Sequence, residues 1–209
     1  MKPGGVVVLK RVNLFKFFGK YRLLILLLLL FVAGFALSNF SSATSKAAAL
    51  SNELFNSYIS VRKHGTFISI LFTVFFQYFA LIITLFIAGS SLTGVVSAPL
   101  ICCTLGLYFG SMVSLTYSSY SLKGIAFNSV ILIPPALVLI LCVFFAAREA
   151  FIFSTVLLRV TMPKSRAMNL SGEFKTYCGK YLLFVLLSLL AALIDAAVSV
   201  SFIKYFSFI

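Results

Sequence analysis

The residues able to move protons or hold metals are few and scattered. The chain has four carboxylates (Glu53, Glu149, Glu173 and Asp195), one histidine (His64) and four cysteines (Cys102, Cys103, Cys142 and Cys178). General acid–base chemistry needs such groups converging on a substrate, and no two carboxylates are spaced as a local pair. A metal site would want a His/Asp/Glu cluster, and the sequence has none. The apolar stretches also lack the His-rich, Ser-His or paired-Asp signatures of an intramembrane protease. Adjacent Cys102-Cys103 lacks redox or zinc spacing. All four cysteines read as free, buried and structural, three of them inside apolar runs and Cys178 near a reducing face. His64, between basic Arg62-Lys63 and Gly65, reads as a plain interfacial residue. No catalytic residue, metal or cofactor is expected.

Asp195 is the exception worth arguing over. It lies 15 residues beyond Lys180 in an otherwise apolar run, roughly 22 Å along a helix at about 1.5 Å per residue. An ionisable group at such depth pairs or marks a functional route. Its helical neighbours Ala191, Ala192, Val198 and Ser199, with Ala196 and Ala197, form a small-residue surface suited to close helix contact. The reading is a neutralised Asp that fixes one helix against another. Lys123, with a long stem that reaches inward, is the expected partner. A substrate or ion path is the alternative.

The elements that must position this residue follow from the apolar pattern. From Gly65 to Leu122 the chain runs 58 residues without a charged side chain. One crossing takes roughly 20 residues, so this run holds two crossings and a short turn. In hydrocarbon only helices and closed barrels satisfy the backbone, and the pattern lacks the alternation of barrel strands. The chain is 62% hydrophobic and 10% charged, against about 25% charged for a soluble domain. An all-α, polytopic integral membrane bundle is therefore expected. It has about five transmembrane helices, at residues 23–40, 67–87, 95–117, 125–147 and 181–203. They form a single transmembrane domain over 23–209, behind a basic amphipathic segment over 1–22.

Basic residues stay in the cytoplasm. Lys2, Lys10, Arg11, Lys16, Lys20 and Arg22 precede the first span, and Arg148, Arg159, Lys164, Arg166, Lys175 and Lys180 separate the fourth from the fifth. Four crossings lie between the two clusters, so both face inward and the N-terminus is cytoplasmic. Lys46, Arg62 and Lys63 then fall outside without overturning that orientation. Nucleic acid is excluded as a partner despite the net charge of +13, because the basic residues flank apolar runs instead of forming one contiguous patch. The long basic start favours a retained anchor over cleavage at Ala36-Leu37-Ser38. Val8, Val12 and Phe15 recur at helical spacing, as in a helix lying on the bilayer surface, with docking to a cytoplasmic protein as the sharper alternative. Two segments are long enough to act in water: Ser41–Gly65 outside, and Arg148–Lys180 inside, helical over Phe151–Val160 before Pro163 and Gly172 break it.

Within the spans, Gly106-x-x-x-Gly110 is a helix-packing motif. Pro134-Pro135 removes two backbone donors and must kink the fourth helix. Gln77 reads as an inter-helix hydrogen-bonding residue. The order of these features resembles the stage II sporulation protein M family over most of the chain. Gly94, Gly106 and Gly110 are similar to its glycine-rich third span. Leu122-Lys123-Gly124 followed by Pro134 resembles its outer turn and proline-bearing fourth span, and Asp195-Ala196-Ala197-Val198-Ser199 its final acidic segment. The chain departs in placing Pro99 five residues after Gly94, Leu105 where the family has a basic residue, Pro134-Pro135-Ala136 for Pro-Gln-Asn, and Asp195 for Glu. These departures mark a divergent member.

The resemblance implies a multi-pass protein of the bacterial cytoplasmic membrane without enzymatic activity. As a scaffold it would anchor cell-wall hydrolases during engulfment. As the alternative, it would be the membrane subunit of an ABC-type export system, working with a separate ATPase. Labelling of single-cysteine variants is expected to place Leu170 in the cytoplasm and Leu50 outside; both on one side would overturn the five-span topology.

Overall fold

Backbone amides in hydrocarbon must find partners within their own segment, and all regular structure among the described residues is helical. The computed structural model describes residues 14–41, 45–161 and 170–206, with side chains over 22–38, 52–63, 65–161 and 171–206. The helices are α1 (Leu14–Ser41), α2 (Ser45–His64), α3 (Phe67–Gly89), α4 (Gly94–Phe127), α5 (Ile133–Val160) and α6 (Leu170–Phe202). A π-helical turn, Asn128–Leu132, joins α4 to α5, and a 3-10 turn, Ile203–Tyr205, follows α6. Residues 1–13 of the basic segment, with Pro163, Lys164 and Arg166, lie outside the described residues, as does the side chain of His64.

Three stretches are long and apolar enough to cross a bilayer: Phe67–Gly89, Gly94–Val160 and Ser171–Tyr205, with Arg22–Ser38 a shorter apolar helix. Gly94–Val160 spans 67 residues and doubles back on itself at Ser121, whose φ of 50° and ψ of −124° interrupt the helix. These angles match the first central position of a type II′ turn, where glycine is the favoured residue. Beside it a Cβ on Gly124 would run into the Thr116 carbonyl, so glycine is required for the chain to close there. The turn thus forms at Ser121, just ahead of the expected Leu122-Lys123-Gly124.

Pro134 and Pro135 sit in the first turn of α5. They cannot donate to the preceding turn, and their rings would collide with its carbonyls. The preceding five residues widen into a π-turn, in which the Ile133 N–H bonds the Asn128 carbonyl. The prolines are accommodated by this local π geometry, one of the recognised causes of a helix bend. Gly172, expected to break the inner segment, instead lies within the first turn of α6.

The packing contacts fix the directions. Gly34 of α1 meets Cys103 of α4, Phe31 meets Gly106, and Phe35 meets Gly110, so α1 and α4 run parallel. Ile70 and Val74 of α3 pack with Ala192 and Ala196 near the end of α6, whereas Phe86 stacks on Tyr177 near its beginning, centroids 5.2 Å apart. So α3 and α6 are antiparallel. Tyr181 of α6 donates to the Ala146 carbonyl of α5 at 2.9 Å, and Cys142 of α5 lies against the Phe184 carbonyl at 3.3 Å, again antiparallel. Helices α1, α4 and α6 therefore point one way, α3 and α5 the other, in an all-helical membrane bundle.

The α1–α4 crossing is backbone-close, because a Cβ on Gly106 would strike the Phe31 carbonyl and one on Gly110 the Phe35 carbonyl. Small residues permit such approach between membrane helices, where packing supplies the driving force. Gly106→Val is expected to lower stability in detergent by about 1–3 kcal/mol through overpacking, read as the midpoint of thermal unfolding. Gly179, with nothing within 4 Å of its Cβ position, is the control. Gly179→Ala is expected to be neutral or to stabilise by about 0.5–1 kcal/mol.

Candidate functional site

The polar centre of the bundle is built by three helices around Asp195. Thr66 accepts from the Ser69 N–H at 3.4 Å and caps α3, which sets the break after α2. That break brings the last turn of α2 beside α6, and Arg62 reaches Asp195. The contact is bidentate, Nε to Oδ1 at 3.0 Å and Nη2 to Oδ2 at 2.5 Å. Tyr78 of α3 donates to Oδ2 at 2.9 Å, and Ser199, one turn along α6, donates to Oδ1 at 3.0 Å. Each carboxylate oxygen thus accepts two hydrogen bonds. The side chains of Arg62 and Asp195 are 3% and 1% exposed.

Arg62 is also held from its own helix. Its Nη1 donates to the Tyr58 carbonyl at 3.0 Å, and its guanidinium lies 3.4 Å over the Tyr58 ring, a cation–π contact. Burial opposes the charge on Arg62, but Tyr58 and Asp195 outweigh it and raise its pKa, so it stays protonated. Burial likewise pushes the Tyr58 hydroxyl up. Planar, bidentate recognition of a carboxylate is what arginine does and lysine does not.

Below this clasp lies a cavity of about 300 Å³. Its lining includes the polar residues Ser57, Tyr58, Arg62, Gln77, Tyr78, Tyr108 and Asp195 beside Leu81, Leu105, Phe109, Leu132 and Leu139. Gln77, expected to bond between helices, is exposed at the rim and makes no side-chain hydrogen bond among the described residues. The tyrosine hydroxyl of Tyr58 and the side-chain oxygen of Asn128 are buried without a partner among the described residues.

The opposite end of the bundle is stapled by aromatics and ions. Phe153 of α5 stacks on Tyr177 with centroids 4.5 Å apart, and the Tyr177 hydroxyl donates to the Phe86 carbonyl at 2.9 Å. Glu149 is paired with Arg148 at 3.0 Å and with Lys180 at 2.7 Å. Ser154 donates to the Ser91 carbonyl in the α3–α4 turn at 2.8 Å, close to where Gly94 packs. Cys102 and Cys142 are buried, Cys103 and Cys178 half-buried. Among the described residues no group of His, Cys, Asp or Glu gathers as metal ligands.

The other residues singled out in the sequence fall in four places. Gly106 and Gly110 lie in the α1–α4 crossing, and Lys123 and Gly124 in the turn at Ser121. Pro134 and Pro135 head α5, where Pro135 also lines the cavity. Asp195 and Ser199 form the clasp with Arg62. Two further expectations are corrected. The partner of Asp195 is Arg62, since α2 folds back over the bundle and carries the guanidinium to α6, whereas Lys123 is exposed. Ser41–Gly65 is also no free aqueous segment: it contains α2, with Phe55, Ile59 and Arg62 buried. Sequence reasoning missed Tyr58, Arg62 and Tyr78. The i, i+3, i+4, i+7 spacing of Phe55, Tyr58, Ile59 and Arg62, the amphipathic helix pattern, was the signal that could have found the first two.

Residues 23–200 match the family model described as Stage II sporulation protein M. Neither a curated protein nor a solved structure matches the chain.

Removing one member of a buried pair strands the other charge, at about 3–5 kcal/mol. Asp195→Ala and Arg62→Ala are each expected to lower the unfolding midpoint in detergent accordingly. Replacing both by leucine is expected to recover much of the loss, which is the non-additivity of coupled residues. Lys123→Ala combined with Asp195→Ala is expected to be additive.

Proposed function

The chain belongs to the stage II sporulation protein M family, and we propose that it is a non-enzymatic membrane scaffold that holds cell-wall hydrolases in place during engulfment. The observation that carries this reading is α2. Its buried face (Phe55, Ile59, Arg62) is fastened to the bundle, while Asn52, Glu53, Asn56, Ser57, Ser60 and Lys63 are exposed on the other. A short polar helix that is clasped down presents a surface in a fixed orientation, which lowers the entropic cost of docking. In the proposed topology, with five crossings and the N-terminus inside, this face is extracytoplasmic and faces the wall.

The second reading, a membrane subunit for a separate ATPase, rests on the other end. There α5 runs on past Arg148 to Val160 and α6 starts at Leu170, so two helices project with Glu149, Glu173, Lys175 and Lys180. A nucleotide-binding subunit would dock on that pair.

The two readings separate on which end carries the partner. Asn52→Arg with Asn56→Arg alters only the exposed face of α2. In the full chain it is expected to leave membrane insertion and the unfolding midpoint unchanged while abolishing co-purification of a wall hydrolase. If association survives that change, depends on Glu173 and Lys175, and brings down an ATPase, the export reading replaces the scaffold. Purified protein is expected to turn over neither peptidoglycan nor ATP.

A further inference from the structure

We propose that α3 carries a self-association face, on which Gln77 pairs with Gln77 of a second copy of this chain inside the bilayer. This goes beyond the scaffold reading and does not rest on it.

The carrying observation is a polar group that hydrocarbon cannot satisfy. Helix α3 is long and apolar enough to cross a bilayer, yet 22% of its most apolar stretch is buried within the bundle, against 56% for Gly94–Val160. Gln77 stands near the middle of its 23 residues, roughly 15 Å from the nearer end. Its side chain is exposed and makes no hydrogen bond among the described residues. Thr73 and Thr84, on the same flank, are satisfied within α3: their hydroxyls donate to the Ser69 and Ala80 carbonyls at 2.9 and 2.8 Å. The Gln77 amide has two N–H donors and a carbonyl oxygen to place. Acyl chains offer it nothing, an unmet polar group in hydrocarbon is costly, and headgroups are too far away. The depth of the amide points to a protein group in the bilayer.

Three features choose a second copy. The first is hydrogen-bond complementarity. Glutamine carries donor and acceptor in one planar group, so two copies across a two-fold axis answer each other with a reciprocal pair of N–H···O bonds. Copies inserted the same way are related by an axis along the membrane normal, which sets both Gln77 side chains at one depth. Such an isologous contact uses one surface twice, whereas a different protein would need its own complementary group at that depth. The second is shape. Ala80 and Thr84, both exposed, continue the flank by one turn and two turns. They are small where backbones must approach, as interfaces between membrane helices require, and Phe76 and Ile87, 60% and 61% exposed, form the apolar rim. The third is charge: the face carries none, so two copies meet without repulsion.

The test uses the full chain, donor- and acceptor-labelled, in vesicles of palmitoyloleoylphosphatidylcholine, with energy transfer followed as protein is diluted into lipid. Wild type is expected to self-associate. Gln77→Leu is expected to weaken association about tenfold, the worth of two such bonds between membrane helices, and to melt no lower than wild type in detergent. Ala80→Leu, which fills the line of approach, is expected to weaken it too. Leu186→Ala, on the exposed face of α6, is expected to leave it unchanged. Wild type that stays monomeric at every density would overturn the proposal. So would equal association by Gln77→Leu, the result if water in the adjacent cavity satisfies the amide, or an equal loss from Leu186→Ala. A lower midpoint for Gln77→Leu would also overturn it, by assigning the amide a partner within its own chain.

Discussion

An ionised carboxylate taken out of water loses hydration energy that the protein must replace with charge and hydrogen bonds. Asp195 is that carboxylate, and what replaces its water comes from three helices: a guanidinium from α2, a phenol from α3 and a hydroxyl from its own α6. The requirement is geometric as much as energetic. Two lone pairs on each oxygen are answered only if the end of α2 lies over α6 and α3 passes within reach of both. The placement of α2, an element too polar to be held by burial alone, follows from the charge it must meet.

The rest of the bundle makes that geometry possible by letting backbones approach. Ala192, one turn before Asp195, and Ala196, next to it, are fully buried and receive Ile70 and Val74, so α3 comes close enough for Tyr78 to donate. Gly106 and Gly110 do the same for α1 against α4. The two prolines at the head of α5 act in the opposite sense. By forcing a π-turn over Asn128–Leu132, they change the helix path where Leu132, Pro135 and Ala136 form part of the cavity wall. Close contact on two sides and a local irregularity on the third leave a space beneath the clasp.

How much of this was legible in the sequence divides along physical lines. The helical membrane class was legible because 58 uncharged residues admit no other way to satisfy a backbone in hydrocarbon. The small-residue crossings were legible because their spacing is local. Asp195 stood out for the same reason: its own neighbours are apolar. Its partner did not, because Arg62 is 133 positions away and sits beside Lys63 and His64 in what reads as an ordinary basic boundary. Charge patterning counted Arg62 as a topology signal, whereas the fold uses it as a buried ligand for Asp195. The turn at Ser121 was displaced from the expected position because a serine there carries no local sign of a left-handed backbone. Gly172 misled in the other direction, since a glycine in a first helical turn is tolerated when the helix beyond it is packed through Tyr177 and Tyr181.

The clasp also bears on what motion the bundle tolerates. A transporter alternates between arrangements that are both populated, and shifting such an equilibrium from 1:99 to 99:1 takes about 5.5 kcal/mol of differential binding. Any motion that separates α2 from α6 must first break a saturated buried pair, stranding two charges at a cost of about 3–5 kcal/mol before any gain. Helix α5 ties the other elements together: Tyr181 of α6 donates to the Ala146 carbonyl, Ser154 donates to the Ser91 carbonyl in the α3–α4 turn, and α4 runs into α5 through Asn128–Leu132. The α1–α4 crossing resists internal shear because carbonyls occupy the places of Cβ atoms. The polar face of α2 is therefore fixed to α6 through the Arg62–Asp195 pair. A surface held in one orientation is a property a scaffold uses directly, whereas an export cycle would have to proceed with that pair intact or meet the cost of breaking it.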